Sequence, residues 1–124
     1  MAAVEGFRDL DTYQKARRQS ARIFKLTCGF PKEETYSLTD QIRRSSRGVC
    51  GLIAEAWARR RYEAAFVNTL NQALGEAMET QSWLDAALDC GYITAETHET
   101  LDTEWQHIGG KLNRMIQCAD RFCQ

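Results

Sequence analysis

Trp57-Ala58-Arg59-Arg60-Arg61-Tyr62-Glu63-Ala64-Ala65-Phe66 decides how many helices this chain has. Neither Gly nor Pro interrupts the stretch, and helical apolar spacing runs into it from Leu38 and out of it to Cys90. Composition alone would allow one helix over 38–90, but helical phase argues against it. Trp57 and Phe66 are nine positions apart, which at about 100° per residue places them on opposite sides of one helix. A turn at Arg59–Tyr62 returns both side chains to a common core. The spacing therefore predicts two helices, over about 38–60 and 62–90.

The first of these carries Leu38, Ile42, Ser45, Val49, Ile53 and Trp57 in one stripe. Ser37 with Asp40 three positions on resembles a capping box. The second carries Phe66, Leu70, Ala73, Ala77, Leu84 and Leu88, and Gly91 suits the residue just past its end. Further out, Leu101, Trp105, Ile108, Leu112, Met115, Ala119 and Phe122 alternate by fours and threes, the spacing of a bundle seam. Thr94 is the expected cap of that helix, over about 95–122. Gly109-Gly110 inside it reads as a kink or a close packing point.

Towards the N-terminus, Leu10, Tyr13, Ala16, Ser20, Ile23, Phe24 and Thr27 define a helix over about 9–28. Asp9 or Asp11 can cap it, and Gly29 with Pro31 ends it. Four helices with short connections predict an all-α fold, an antiparallel up-and-down four-helix bundle. At 124 residues the whole chain, 1–124, suits a single domain of this kind.

Composition narrows the function classes. Pro31 is the only proline, which disfavours an all-β chain. No apolar run is long enough to span a membrane, and no secretory leader is visible. A cytoplasmic location without membrane partners is the expectation. Five cysteines, Cys28, Cys50, Cys90, Cys118 and Cys123, include no CxxC pair and read as reduced thiols. His98 and His107 are nine positions apart, and no carboxylate or cysteine pattern completes a ligand set around them. Glu104 and His107 give one Glu-x-x-His spacing, where a bundle di-metal site needs two. No phosphate-binding glycine loop or nucleophile–base arrangement is present. The expectation is a protein without catalytic residues, metal, cofactor or small-molecule substrate.

Charge is uneven. Residues 1–62 hold 13 Lys/Arg against 7 Asp/Glu, a net of +6, whereas residues 63–124 hold 3 against 10, a net of −7. Lys15, Arg18 and Arg22, with Arg17 and Lys25, make a basic face on the first helix. Arg43, Arg44, Arg47 and the run Arg59, Arg60, Arg61 add to it. Guanidinium groups pair with phosphates by geometry as well as charge, so these residues are candidate contacts to RNA or DNA. The other reading is a solvated face paired with the acidic half. Opposite the apolar stripe of the second helix lie Arg47, Gly51, Ala54 and Ala58, with Gly48, Glu55 and Arg44 nearby. Glycine inside a helix costs about 0.5–1 kcal/mol against alanine, so this small face is a candidate contact between subunits. The alternative is a tolerated exposed surface.

Longer stretches resemble a known family. Phe7-Arg8-Asp9-Leu10 with Tyr13-Gln14-Lys15-Ala16 looks like its opening. Phe30-Pro31-Lys32-Glu33-Glu34 and Tyr36-Ser37-Leu38-Thr39-Asp40-Gln41-Ile42-Arg43-Arg44-Ser45-Ser46 look like its central signature. Ile53-Ala54-Glu55-Ala56 resembles the family's Asn-Ile-Ala-Glu-Gly segment. The family is that of bacterial four-helix-bundle proteins encoded in intervening sequences of large-subunit rRNA genes. It is related to the accessory protein of diversity-generating retroelements. The resemblance implies a four-helix protomer, self-association as a homopentamer and, for the retroelement branch, a basic surface meeting nucleic acid and a reverse transcriptase. Leu52 and Ala56 stand where the family usually has Asn and Gly. Arg61-Tyr62 stands where a Ser or Thr cap usually opens the third helix.

Overall fold

The computed structural model describes residues 3–123. Four helices carry the fold: α1 (Asp11–Thr27), α2 (Leu38–Ala58), α3 (Glu63–Asp89) and α4 (Ala95–Gln117). Single 3-10 turns lie at Phe7–Asp9, Lys32–Glu34 and Ala119–Arg121. α2 packs on α1 and α3, and α4 packs on α3 and α1, which closes an antiparallel four-helix bundle.

The turn between α2 and α3 lies where helical phase requires it. The Arg59 N–H donates to the carbonyls of Glu55 and Ala56, and the Tyr62 N–H donates to that of Arg59. Phe66 is then fully buried, and Trp57 packs half-buried against the same core. The stripes read from the sequence converge there: Ile23 from α1, Ile42, Val49 and Ile53 from α2, Leu70 and Leu84 from α3, Trp105, Ile108 and Leu112 from α4. The fourth helix ends earlier than its heptad stripe. Ala119 and Phe122 still reach the core, but from the 3-10 turn after α4 and from its end.

Helix ends depart from expectation at two places. Asp9 does not cap α1; its Oδ2 accepts from the backbone N–H groups of Glu5 and Gly6, closing the preceding 3-10 turn. Asp11 lies inside α1, whose cap residue Leu10 offers no side-chain acceptor. Ser37 does precede α2, but its hydroxyl makes no capping bond. Glu34 does that work instead, its Oε1 accepting from the Leu38 N–H at 3.2 Å. A carboxylate reaching back from the 3-10 turn satisfies an orphan donor at the positive end of the helix dipole.

Two other ends are as read. The Thr94 hydroxyl accepts from the Thr97 N–H at 3.1 Å. After α3, Gly91 takes φ +74°. Its N–H donates to Leu88 and the Tyr92 N–H to Ala87, the paired bonds of a Schellman motif. That motif turns Tyr92 towards Phe30, ring centroids 5.4 Å apart, and its hydroxyl donates to Glu34 Oε2 at 2.8 Å. One carboxylate thus joins the α1–α2 and α3–α4 connections. The hydrogen bond from Tyr92 holds the Glu34 carboxyl below its ordinary value and pushes the Tyr92 hydroxyl up to about 12.

Candidate nucleic-acid interface

The charge division of the sequence becomes a division of the bundle, with α1 and α2 on one side and α3 and α4 on the other. The basic side does not present all its cations alike. Lys15 leaves the basic face and pairs with Glu104 of α4 at 3.3 Å. Arg43 is half-buried in the α1–α2 seam. Its Nε donates to Thr27 Oγ1 at 2.7 Å, and the guanidinium covers the Phe24 ring at 4.5 Å. Arg59 bridges α2 to α3, donating to Thr69 Oγ1 at 3.0 Å and meeting Glu55 at 3.7 Å. Arg60 lies flat on Trp57, 3.6 Å from the ring centroid, and donates to the Trp57 carbonyl at 2.8 Å. Each of these four side chains is engaged within the protomer.

A second group is freer. Arg44 approaches Asp40 only at 3.9 Å with its side chain 78% exposed. Arg47 lies 5.6 Å from the Phe24 centroid, and its residue is exposed. Arg22 donates to the side-chain oxygen of Gln19 at 3.2 Å and makes no ion pair among the described residues. Arg17, Arg18 and Arg61 are exposed and make no ion pair among the described residues. Spacing alone puts Phe24 in the core stripe; it is instead 43% exposed, beneath Arg43 and Arg47. Two guanidinium groups on one exposed ring make a flat cationic surface. The signal for it is present in the sequence as Phe24 and the Arg43–Arg47 step, but only the fold brings α1 to α2.

The small face of α2 divides too. Gly48 has a close neighbour inside the chain: a Cβ there would lie 3.3 Å from the side-chain Oε2 of Glu76 on α3. Gly51 meets nothing within 4 Å, Ala58 is exposed and Ala54 is half-buried. Glu55 faces Arg59 along its own helix. On α4, Gly109 packs near Leu74 Cδ1 of α3, and the helix continues through Gly110 without a break. Burial pushes the Cys50 thiol up to about 11, so it stays protonated. A hollow of about 760 Å³ between the two ends of the chain is lined by Leu10, Met115, Phe122 and Cys118 among others. No histidine lines it, so Cys118 has no base there. None of the helices is long and apolar enough to cross a membrane.

Comparison with known proteins gives this geometry a family. Residues 8–114 match the family model described as 23S rRNA-intervening sequence protein. No curated protein matches the chain. A crystal structure from Bacteroides thetaiotaomicron, described as a protein of unknown function from the S23 ribosomal protein family, is 31% identical. The match covers 86% of this chain and 95% of that one, with a TM-score of 0.77. Neither description names a reaction. On the extent of the family match, this chain belongs to the 23S rRNA-intervening sequence protein family.

Proposed function

We propose that the chain is a non-enzymatic, self-associating binding protein whose α1–α2 surface contacts RNA, DNA or a nucleoprotein partner. The observation that carries the reading is the group of arginines left uncommitted by the fold. Arg17, Arg18, Arg44, Arg47 and Arg61 remain exposed after Arg43, Arg59 and Arg60 have been used in packing. Phosphate recognition needs cations that are exposed and not already neutralised. Tyr62, at 67% exposure beside Arg61, adds a face on which a base can stack. Self-association rests on the family resemblance and on the exposed Gly51 and Ala58, with the half-buried Ala54 between them.

Fluorescence anisotropy with single- and double-stranded RNA and DNA, at low and moderate salt, tests the reading. Binding should weaken steeply with salt. Arg44→Gln and Arg47→Gln should each lower the salt slope by about one. No binding even at low salt sinks the nucleic-acid role.

A purely structural homo-oligomer is the second reading, favoured by Lys15–Glu104, in which a cation of the basic half pairs with an acid of the acidic half. If such pairs also join protomers, sedimentation should show the assembly dissociating at high salt. Gly51→Leu should reduce the mass of the assembly if α2 lies at the subunit contact; an unchanged mass removes that face from it.

A further inference from the structure

His98 stands alone in the sequence, but the fold supplies it with two carboxylates. His98 and Asp102 are one turn apart on α4, so both side chains leave the same face of the helix. Asp85 comes across from α3, and its Oδ1 lies 2.8 Å from His98 Nε2. One ligand atom from each of Asp85, His98 and Asp102 lies within 4.8 Å of the other two. Bonds of about 2.0–2.2 Å to a shared ion set the ligand atoms roughly 3–4 Å apart, a spacing close to the one present here.

The His98–Asp85 contact does not involve the third group. Asp102 is half-buried and held by Gln81, whose Nε2 donates to Asp102 Oδ1 at 3.1 Å and to Gln106 Oε1 at 3.1 Å. Gln81 is one turn before Asp85 on α3, so the same helix provides a ligand and the group that orients another. Outer hydrogen bonds of this kind orient metal-bound carboxylates. The His98 side chain is only 19% exposed, whereas that of Asp85 is 67% exposed, which leaves an entry path on one side. With a neutral imidazole the three groups carry a charge of −2, which a divalent cation balances.

We propose that Asp85, His98 and Asp102 form a site for a divalent first-row transition-metal ion that ties α3 to α4. One imidazole and two carboxylates suit ions that accept mixed nitrogen and oxygen donors, such as Zn²⁺, Co²⁺ or Mn²⁺. The remaining positions belong to water. Coordination through Nε2 requires the ring proton on Nδ1, a tautomer readable by NMR.

The test is titration of the untagged, reduced full-length chain with Co²⁺, followed by calorimetry and visible absorption. The expected result is one Co²⁺ per chain, with bands of nitrogen and oxygen ligation and a rise in Tm on binding. His98→Ala and Asp102→Asn should each weaken binding by at least about tenfold, while His107→Ala leaves it unchanged. Asp85→Asn, at the most exposed ligand, repeats the test with the least disturbance of packing. Three results would overturn the site: no binding at millimolar Co²⁺, equal affinity in His98→Ala and the parent chain, or absorption dominated by thiolate-to-cobalt charge transfer.

Discussion

The seam between α2 and α3 and the seam between α1 and α4 close the same bundle by different means. Along α2–α3, Ile42, Val49 and Ile53 meet Phe66, Leu70, Ala73 and Ala77, all at or near zero exposure. Its polar content is buried and paired: Ser45 Oγ and Thr80 Oγ1 lie 2.8 Å apart, and Thr80 Oγ1 also donates to the Glu76 carbonyl. Along α1–α4 the contact is slighter, and ion pairs border it, Lys15 with Glu104 and Lys111 with Asp11. Burial of apolar area is not screened by salt and is strengthened by salting-out ions, whereas half-exposed ion pairs are weakened by screening. The first seam therefore holds the protomer together, and the second sets how tightly α1 lies against the rest.

The largest effect should come from emptying the first seam. Leu70→Ala removes a fully buried side chain and should cost about 2–5 kcal/mol, read as a lower urea midpoint. A comparable loss from Lys15→Ala would overturn the ranking. The hydroxyl pair should be next. Ser45→Ala should cost about 1 kcal/mol by leaving Thr80 without a partner for its remaining hydrogen-bonding capacity. Ser45→Ala combined with Thr80→Val should cost less than the two single losses added, because neither hydroxyl is then left over. Strict additivity in that double-mutant cycle would show that the two groups do not act as a pair.

The same contrast explains what could be read from residue order. The α2–α3 seam was legible because apolar periodicity and the nine-residue phase between Trp57 and Phe66 are properties of a single stretch. Gly91 and Thr94 were legible because a Schellman turn and an N-cap involve residues only a few positions apart. What escaped was carried across the bundle. Glu34 caps α2 while holding Tyr92, 58 positions away, and displaces the capping box expected of Ser37. Arg43 has the composition of a phosphate ligand and is consumed by Thr27 and Phe24. The cluster at His98 draws on two helices, so spacing along one chain segment could not complete it. For the candidate interface, the arginines were legible as a set. Their separation into packed and free members depends on which neighbours each one meets.

A smaller effect, of opposite sign, belongs to Glu76 at the edge of the α2–α3 seam. Burial, then the neighbouring Glu79 carboxylate, raises the Glu76 carboxyl above its ordinary value, against a smaller opposing pull from Arg44. A carboxyl whose folded pKa exceeds its unfolded one stabilises the fold fully below the unfolded value, near 4.5, and that contribution is lost as pH rises through the folded value. At neutral pH the charged form is tolerated at some cost to stability. Glu76→Gln should therefore raise stability near pH 7 by roughly 0.5 kcal/mol. The gain should vanish below about pH 4.5, where the parent side chain is protonated too. A gain that persists unchanged in acid would point to packing against Gly48 as its source.

The α1–α4 seam should give the smallest loss and the clearest response to conditions. Lys15 and Glu104 are partly shielded, with side-chain exposures of 21% and 30%, so their pairing is worth at most about 1 kcal/mol. Lys15→Gln should cost a few tenths of that scale at low salt and less in high salt, where the Debye length shrinks to about 3 Å at 1 M. Acid should act on the other pair. The hydrogen bond from Lys111 lowers the Asp11 carboxyl below its ordinary 3.8 despite slight desolvation. A depressed carboxyl stabilises the fold above its unfolded pKa, and that contribution is lost as pH falls through the lower, folded value. Hydrogen-exchange protection in α1, taken relative to the intrinsic rate at each pH, should consequently fall with salt and again below about pH 3.8, before protection in α2 and α3 responds. If all four helices respond together, the two seams are one cooperative unit and the distinction between them fails.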